Sequence, residues 1–250
     1  MFTLNHFIWL GICAAIIGSL LFFALKFKWS KITAVRVMCL ISIISELSKV
    51  FTHMTYVDSS DTSKGMVIET KALPFHLCSL FIFAFFFLAL SKNEGINNKV
   101  ISFFVPVGLF GALLAIIIAN NGVAFNTPYT YQCFVYHAGM IWLALYYIIT
   151  KQVDLGLKAY IRNVALLFSL AIIMIWVNGA LYPAEVNFFF LVKPPVEGLP
   201  FLNLSHGWYV YFAHICSTGF LLETLVSLPF IITERRQKKR NQIDKQDEIL

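Results

Sequence analysis

A cysteine among scattered histidines is the clearest chemical signal in this chain. Cys78 stands in the run Leu73-Pro74-Phe75-His76-Leu77-Cys78-Ser79-Leu80, and five of the six histidines, His53, His76, His137, His206 and His214, fall near one end of long apolar segments. A cysteine thiolate is a nucleophile, and a neighbouring imidazole is a base that can generate it. The same residue types could instead ligate zinc. Titratable side chains are costly in hydrocarbon, so several at one depth point to a functional site. His76 is a poor base for Cys78, because positions i and i+2 face different sides of a helix. The base must come from another segment, and His137 is the first choice, with His214 and His53 as substitutes.

The elements that position these groups are membrane helices. The chain is 59% hydrophobic and only 13% charged, with a mean hydropathy of +0.76, a balance no soluble domain needs. A bilayer core of roughly 30 Å takes about 20 apolar residues per helix. That ruler predicts an all-α bundle of seven spans, at 7–25, 33–56, 73–90, 100–119, 130–150, 163–182 and 207–232. Residues 1–233 are then the transmembrane domain, and 234–250 a charged tail.

Short cytoplasmic loops carry the excess of Lys and Arg. Lys26, Lys28, Lys31, Lys92, Lys99, Lys151, Lys158, Arg162 and the tail share one side, whereas only Lys64, Lys71 and Lys193 lie in the opposite loops. This places the N-terminus outside and the C-terminus in the cytoplasm of a cell-membrane protein, with the first segment an uncleaved signal-anchor. The formal charge of +6 suits anionic lipid headgroups and calls for no nucleic-acid partner. The oligomeric state is left open.

At a rise of about 1.5 Å per residue, Cys78 and His137 sit at matching depths, roughly 8 to 11 Å below the outer boundary. His53, Asn178, His206 and His214 fall in the same leaflet, under the long loops 57–72 and 183–205. Glu46 and Lys49, three apart in the second span with Ser42 and His53 near their stripe, form either an internal ion pair or a proton-relay or headgroup site. Glu223 is a further candidate partner. Cys13, Cys39, Cys133 and Cys216 read as small apolar fillers, although Cys133 lies near the exported edge, where oxidation could pair it. In the fourth span, Pro106, Gly108, Gly111, Ala112 and Ala115 make a kink and a small-residue packing face.

Two other functions compete with thiol chemistry. A seven-helix transporter or sensor would use Glu46 and Lys49 on a small solute, although no repeated halves are visible. A zinc hydrolase would draw on His206 and His214, but neither His-x-x-x-His nor Cys-x-x-Cys occurs. No metal set and no cofactor are therefore expected.

The run around Cys78, the histidine in Tyr136-His137-Ala138-Gly139, and the segment Ser205-His206-Gly207-Trp208-Tyr209 together resemble the YwaF-like family of bacterial integral membrane proteins. That family is related to the eukaryotic transmembrane protein 164, an acyltransferase of ether phospholipid remodelling. The resemblance covers most of the chain. It implies an acyl-accepting cysteine at Cys78 and a partner histidine at His137. The enzyme would take an acyl chain from an outer-leaflet glycerophospholipid as a thioester and pass it to a lipid or lysolipid acceptor, or to water. His76 would then anchor a phosphate headgroup, and first-turn N–H groups of the third helix would bind the oxyanion.

Overall fold

The computed structural model describes residues 2–57, 60–119, 122–196, 198–199 and 201–247, with side chains as far as 242. Seven helices follow one another among the described residues: α1 (Leu4–Lys26), α2 (Lys31–Thr52), α3 (Leu77–Leu90), α4 (Glu94–Ile118), α5 (Pro128–Ile149), α6 (Leu157–Ala180) and α7 (Trp208–Asp247). Polar caps fix three of the starts. Thr3, Ser30 and Asn93 accept from the backbone N–H of His6, Thr33 and Ile96 and so satisfy donors that the first turn leaves unpaired. Pro128 opens α5, where its missing N–H costs nothing.

Five of these helices, α1, α4, α5, α6 and α7, are long and apolar enough to cross a membrane, which makes this a multi-pass membrane protein. The expectation of seven spans meets two departures. The second helix carries Lys31, Arg36, Glu46 and Lys49, and the third has only 14 residues. Both nevertheless pack into the bundle, α2 on α5 and α3 on α2 and α4.

The helix bounds depart from expectation at three informative places. α3 begins at Leu77 rather than at residue 73, because Pro74 disfavours helical backbone at Leu73, which is extended (φ −57°, ψ 148°). α2 ends at Thr52, and the chain then forms a small antiparallel hairpin, β1 (Met54–Tyr56) with β2 (Met66–Ile68), that the all-α reading did not include. α7 runs on to Asp247, well past the expected end at 232. There Glu234 accepts from the Leu157 N–H at 3.2 Å and so caps α6 from the tail.

The core is built around α5, which packs on α1, α2 and α4. Its buried residues include Phe134, Tyr136, Met140, Trp142, Leu143, Tyr146 and Tyr147, and Trp9 of α1 stacks on Phe134 at 4.8 Å. Gly139 is what lets α2 approach: a Cβ there would stand 3.1 Å from Met38 Sδ. Small residues serve the same purpose in α4, where Pro106, Gly108 and Ala112 are buried. Gly111 lies on the opposite, exposed side.

A separate polar node joins α4, α6 and α7. Asn163 donates to the Ser102 carbonyl (2.7 Å) and to Glu223 Oε1 (3.2 Å), while Arg162 donates to Ser102 Oγ (2.9 Å). Glu223 is therefore occupied here and is not a partner of Glu46 or Lys49.

Candidate active site

Because α3 starts late, Cys78 occupies its first turn, two residues after the N-cap His76. Among the described residues no side chain caps this terminus, so its first-turn N–H groups lie beside Cys78 without a side-chain acceptor. The Tyr136 hydroxyl donates to the Cys78 carbonyl at 2.7 Å, tying the start of α3 to the middle of α5.

One residue further along α5 is His137, buried with 7% of its surface exposed. Its Nδ1 stands 2.7 Å from the Cys133 carbonyl, one turn back, and 3.6 Å from Cys133 Sγ. A carbonyl can only accept, so Nδ1 carries the proton in the neutral ring and Nε2 carries the lone pair. The Tyr136–Cys78 bond brings the backbone of Cys78 to the residue next to this imidazole. A thiol beside a ring so oriented is an arrangement that can activate a weak nucleophile.

The polar stripe of α2 faces the same point. Lys49 Nζ pairs with Glu46 Oε1 at 2.6 Å, and Lys49 is buried. α2 packs on both α3 and α5, and Ser42 and Lys49 are buried within the bundle. Three elements therefore converge: the α2 stripe, the α3 N-terminus and one face of α5.

The remaining site candidates hold the walls. His53 Nδ1 lies 3.2 Å from Glu69 Oε2, and its ring packs edge-on against Tyr129 at 4.7 Å. Its buried Nε2 makes no hydrogen bond among the described residues. Glu69 also pairs with Lys71 at 3.0 Å, and Lys71 followed by His53 holds its carboxyl below the usual carboxylate range. His76 packs against the rings of Phe188 (5.3 Å) and Phe190 (5.4 Å) from the α6–α7 connection.

Asn178 is a clamp on that connection. Its amide donates to the Phe188 carbonyl (3.0 Å) and accepts from the Phe188 N–H (2.8 Å). Phe189 (φ 57°) and Phe190 (φ 54°) follow in the left-handed region, which bulky residues rarely occupy unless the surroundings force it. The Tyr211 hydroxyl donates to the Phe190 carbonyl, and Trp208 Nε1 donates to the Leu191 carbonyl at 2.8 Å, completing the hold.

His206 and His214 do not join the cluster. His206 is exposed and bonded to Ser205 Oγ at 2.9 Å, while His214 Nδ1 donates to the Phe201 carbonyl at 2.6 Å. Their helix packs on α4 and α6. Among the described residues, no three His, Cys, Asp or Glu side chains converge to hold a metal ion. All five cysteines are thiols, including Cys133, which lies against His137 instead of serving only as apolar filler.

Sequence reasoning missed Tyr129, Tyr136 and the orienting role of Cys133. The available signal was spacing, since 129 and 136 are seven apart and share a face of α5.

Searches against curated proteins and solved structures return no match. The profile of the TMEM164 family matches residues 1–226, so with nine-tenths of its length covered this chain belongs to the TMEM164 family.

Proposed function

We propose that this protein is a bacterial, YwaF-like cell-membrane acyltransferase that uses Cys78 as nucleophile and His137 as base on outer-leaflet glycerophospholipid. The observation that carries the reading is the bond from the Tyr136 hydroxyl to the Cys78 carbonyl, which brings the start of α3 to the residue next to His137, an imidazole whose Nδ1 is held by the Cys133 carbonyl. The topology in this proposal is seven spans with the N-terminus outside, α2 and α3 crossing with the five apolar helices.

In the first half-reaction, His137 Nε2 takes the thiol proton and Cys78 Sγ attacks the ester carbonyl. The oxyanion forms beside the uncapped first turn of α3, where backbone N–H groups and the helix dipole favour negative charge. Collapse breaks the ester C–O bond, and the imidazolium returns its proton to the departing lysolipid oxygen. In the second half, an acceptor hydroxyl gives its proton to His137 and attacks the thioester, and Cys78 regains a proton as the C–S bond breaks. With water as acceptor the same steps are hydrolysis. Lys49 supplies positive charge for a phosphate headgroup, with Glu46 holding it in place, and His76 anchors the same phosphate through a ring N–H.

The test is intact-protein mass spectrometry after incubation with phospholipid vesicles. Wild type should acquire a fatty-acyl adduct that neutral hydroxylamine removes, and Cys78→Ser should lack the hydroxylamine-labile form. His137→Ala should slow acylation by about 10²- to 10⁴-fold. A folded Cys78→Ala protein with full lipid turnover would refute the proposal. The buried Glu46–Lys49 pair favours one second reading, a solute transporter or sensor. It predicts solute binding lost in Glu46→Gln and Lys49→Met, with no adduct in any variant.

A further inference from the structure

We propose that the groove between α2 and α5 holds one acyl chain of the lipid and sets the chain length accepted. This rests on the thioester reading only for the second half of the claim. The groove encloses about 460 Å³, within the range of about 300–1,000 Å³ typical of ligand sites. Its walls are Ile41, Ile44 and Ser45 of α2 and Tyr131, Gln132 and Val135 of α5.

Three observations select the occupant. Among the described residues no charged side chain lines the groove, although Glu46 and Lys49 belong to the same helix. At about 100° per residue, those charges lie on the stripe that faces Cys78, next to the groove stripe but turned away from it. Ser45 and Gln132 satisfy each other at 2.6 Å, which leaves the floor neutral. A headgroup phosphate finds no counter-charge there, whereas a hydrocarbon chain meets only compatible surface.

The second observation is exposure. Ile44, Tyr131 and Val135 are all exposed, on a helix pair of which α5 is apolar enough to cross a membrane. In a bilayer those side chains are covered by lipid tails, and a concave site confines one tail where a flat face does not.

The third is continuity with the nucleophile. Tyr136 lines the deep end of the groove, and its hydroxyl is the group bonded to the Cys78 carbonyl. From Pro128 to Tyr136 the groove follows α5 for about 12 Å, enough for a substantial part of a fatty chain to run beside the site.

The experiment uses Cys78→Ala protein in phosphatidylcholine vesicles doped with phosphatidylcholine carrying a diazirine in one acyl chain. After illumination, labelled residues are mapped by peptide mass spectrometry. Groove residues should be labelled at least fivefold more than Ile172, Ile173 and Trp176, an exposed apolar face of α6. Val135→Trp and Ile44→Trp, on opposite walls, should each cut groove labelling severalfold, and in otherwise wild-type protein should shift the adduct on Cys78 toward shorter chains. Equal labelling of groove and α6 face, or unchanged labelling in both tryptophan variants, overturns the site. Groove labelling with no adduct on wild type refutes the thioester reading and the chain-length claim but upholds the acyl-chain site. An adduct of unchanged chain profile in both variants overturns the claim of length selection.

Discussion

Replacing Tyr136 with Phe removes one hydroxyl and leaves the ring in the wall of the groove. That hydroxyl donates to the Cys78 carbonyl at 2.7 Å. The carbonyl is already the acceptor for the α-helical bond from residue 82, so losing the tyrosine does not orphan it. The expected loss is therefore the net value of one hydrogen bond, about 0.5–1.5 kcal/mol. If the bond's role is to hold Cys78 at His137, that energy appears in the acylation barrier. At a factor of ten per roughly 1.4 kcal/mol, acylation should slow by about two- to thirteenfold. The assay is single-turnover adduct formation by rapid quench and intact-mass detection, with unfolding measured in parallel. The adduct should still form on Cys78 and remain hydroxylamine-labile. An unchanged rate would refute the positioning role. So would a loss of a thousandfold in a folded protein, which would make the phenol a proton-transfer group instead.

Asn178→Ala leaves the buried N–H of Phe188 without its partner, while the Phe188 carbonyl keeps the Leu191 N–H at 3.3 Å, a cost of roughly 1–3 kcal/mol for the one orphaned group. Hydrogen exchange should accelerate across 186–192 while α5 stays protected. Glu46→Gln leaves the buried Lys49 charge unpaired and should destabilise by about 3 kcal/mol, the low end for a buried pair because Glu46 is partly exposed. Glu46→Gln with Lys49→Met should recover most of that loss in a denaturation series, and no recovery would show that the pair is not the source. The Glu69 carboxyl is held below its ordinary range by Lys71 and His53, so its stabilising effect is complete above the unfolded value and disappears as pH falls through the folded one. Proteolysis of the 53–72 loop should therefore increase on acidification below about pH 4.5, the ordinary carboxylate value, and Glu69→Gln should remove that dependence.

The long helices were legible because hydropathy over a span of about 20 residues is a strong signal, and α1, α5 and α6 lie close to where it put them. Cys78 and His137 are matched by depth and family resemblance, yet the depth calculation uses a helix start that the structure moves. Cys78 is the second residue of α3, and the extended residue before Pro74 carries the chain to the right level. Depth was also the reason His206 and His214 were grouped with the site. Rise per residue gives height along a helix and says nothing about which neighbours that helix has. In the structure His206 is bonded to Ser205 Oγ and His214 to the Phe201 carbonyl. The β1–β2 hairpin was missed for a different reason. Its strands are three residues long and exposed, too short for alternation to register.

Several features that weaken the fold lie toward the Cys78 end of it. An uncapped helix start, a buried Lys–Glu pair, an unbonded His53 nitrogen and two phenylalanines in the left-handed region all lie around Cys78. Each is unfavourable by about 1 kcal/mol or more in isolation. The other end of the bundle holds the node in which Asn163 and Arg162 bond Ser102, and there Glu234 caps α6. The aromatic core of α1, α4 and α5 supplies the stability that offsets such local costs. Relieving one of these strains should then make the protein more stable and less active. Phe189→Gly is the direct case, because glycine adopts φ 57° without the Cβ penalty. It should raise the unfolding temperature while loosening the cover over His76. A variant that gained neither stability nor mobility at that position would show that the left-handed backbone there is not a source of strain.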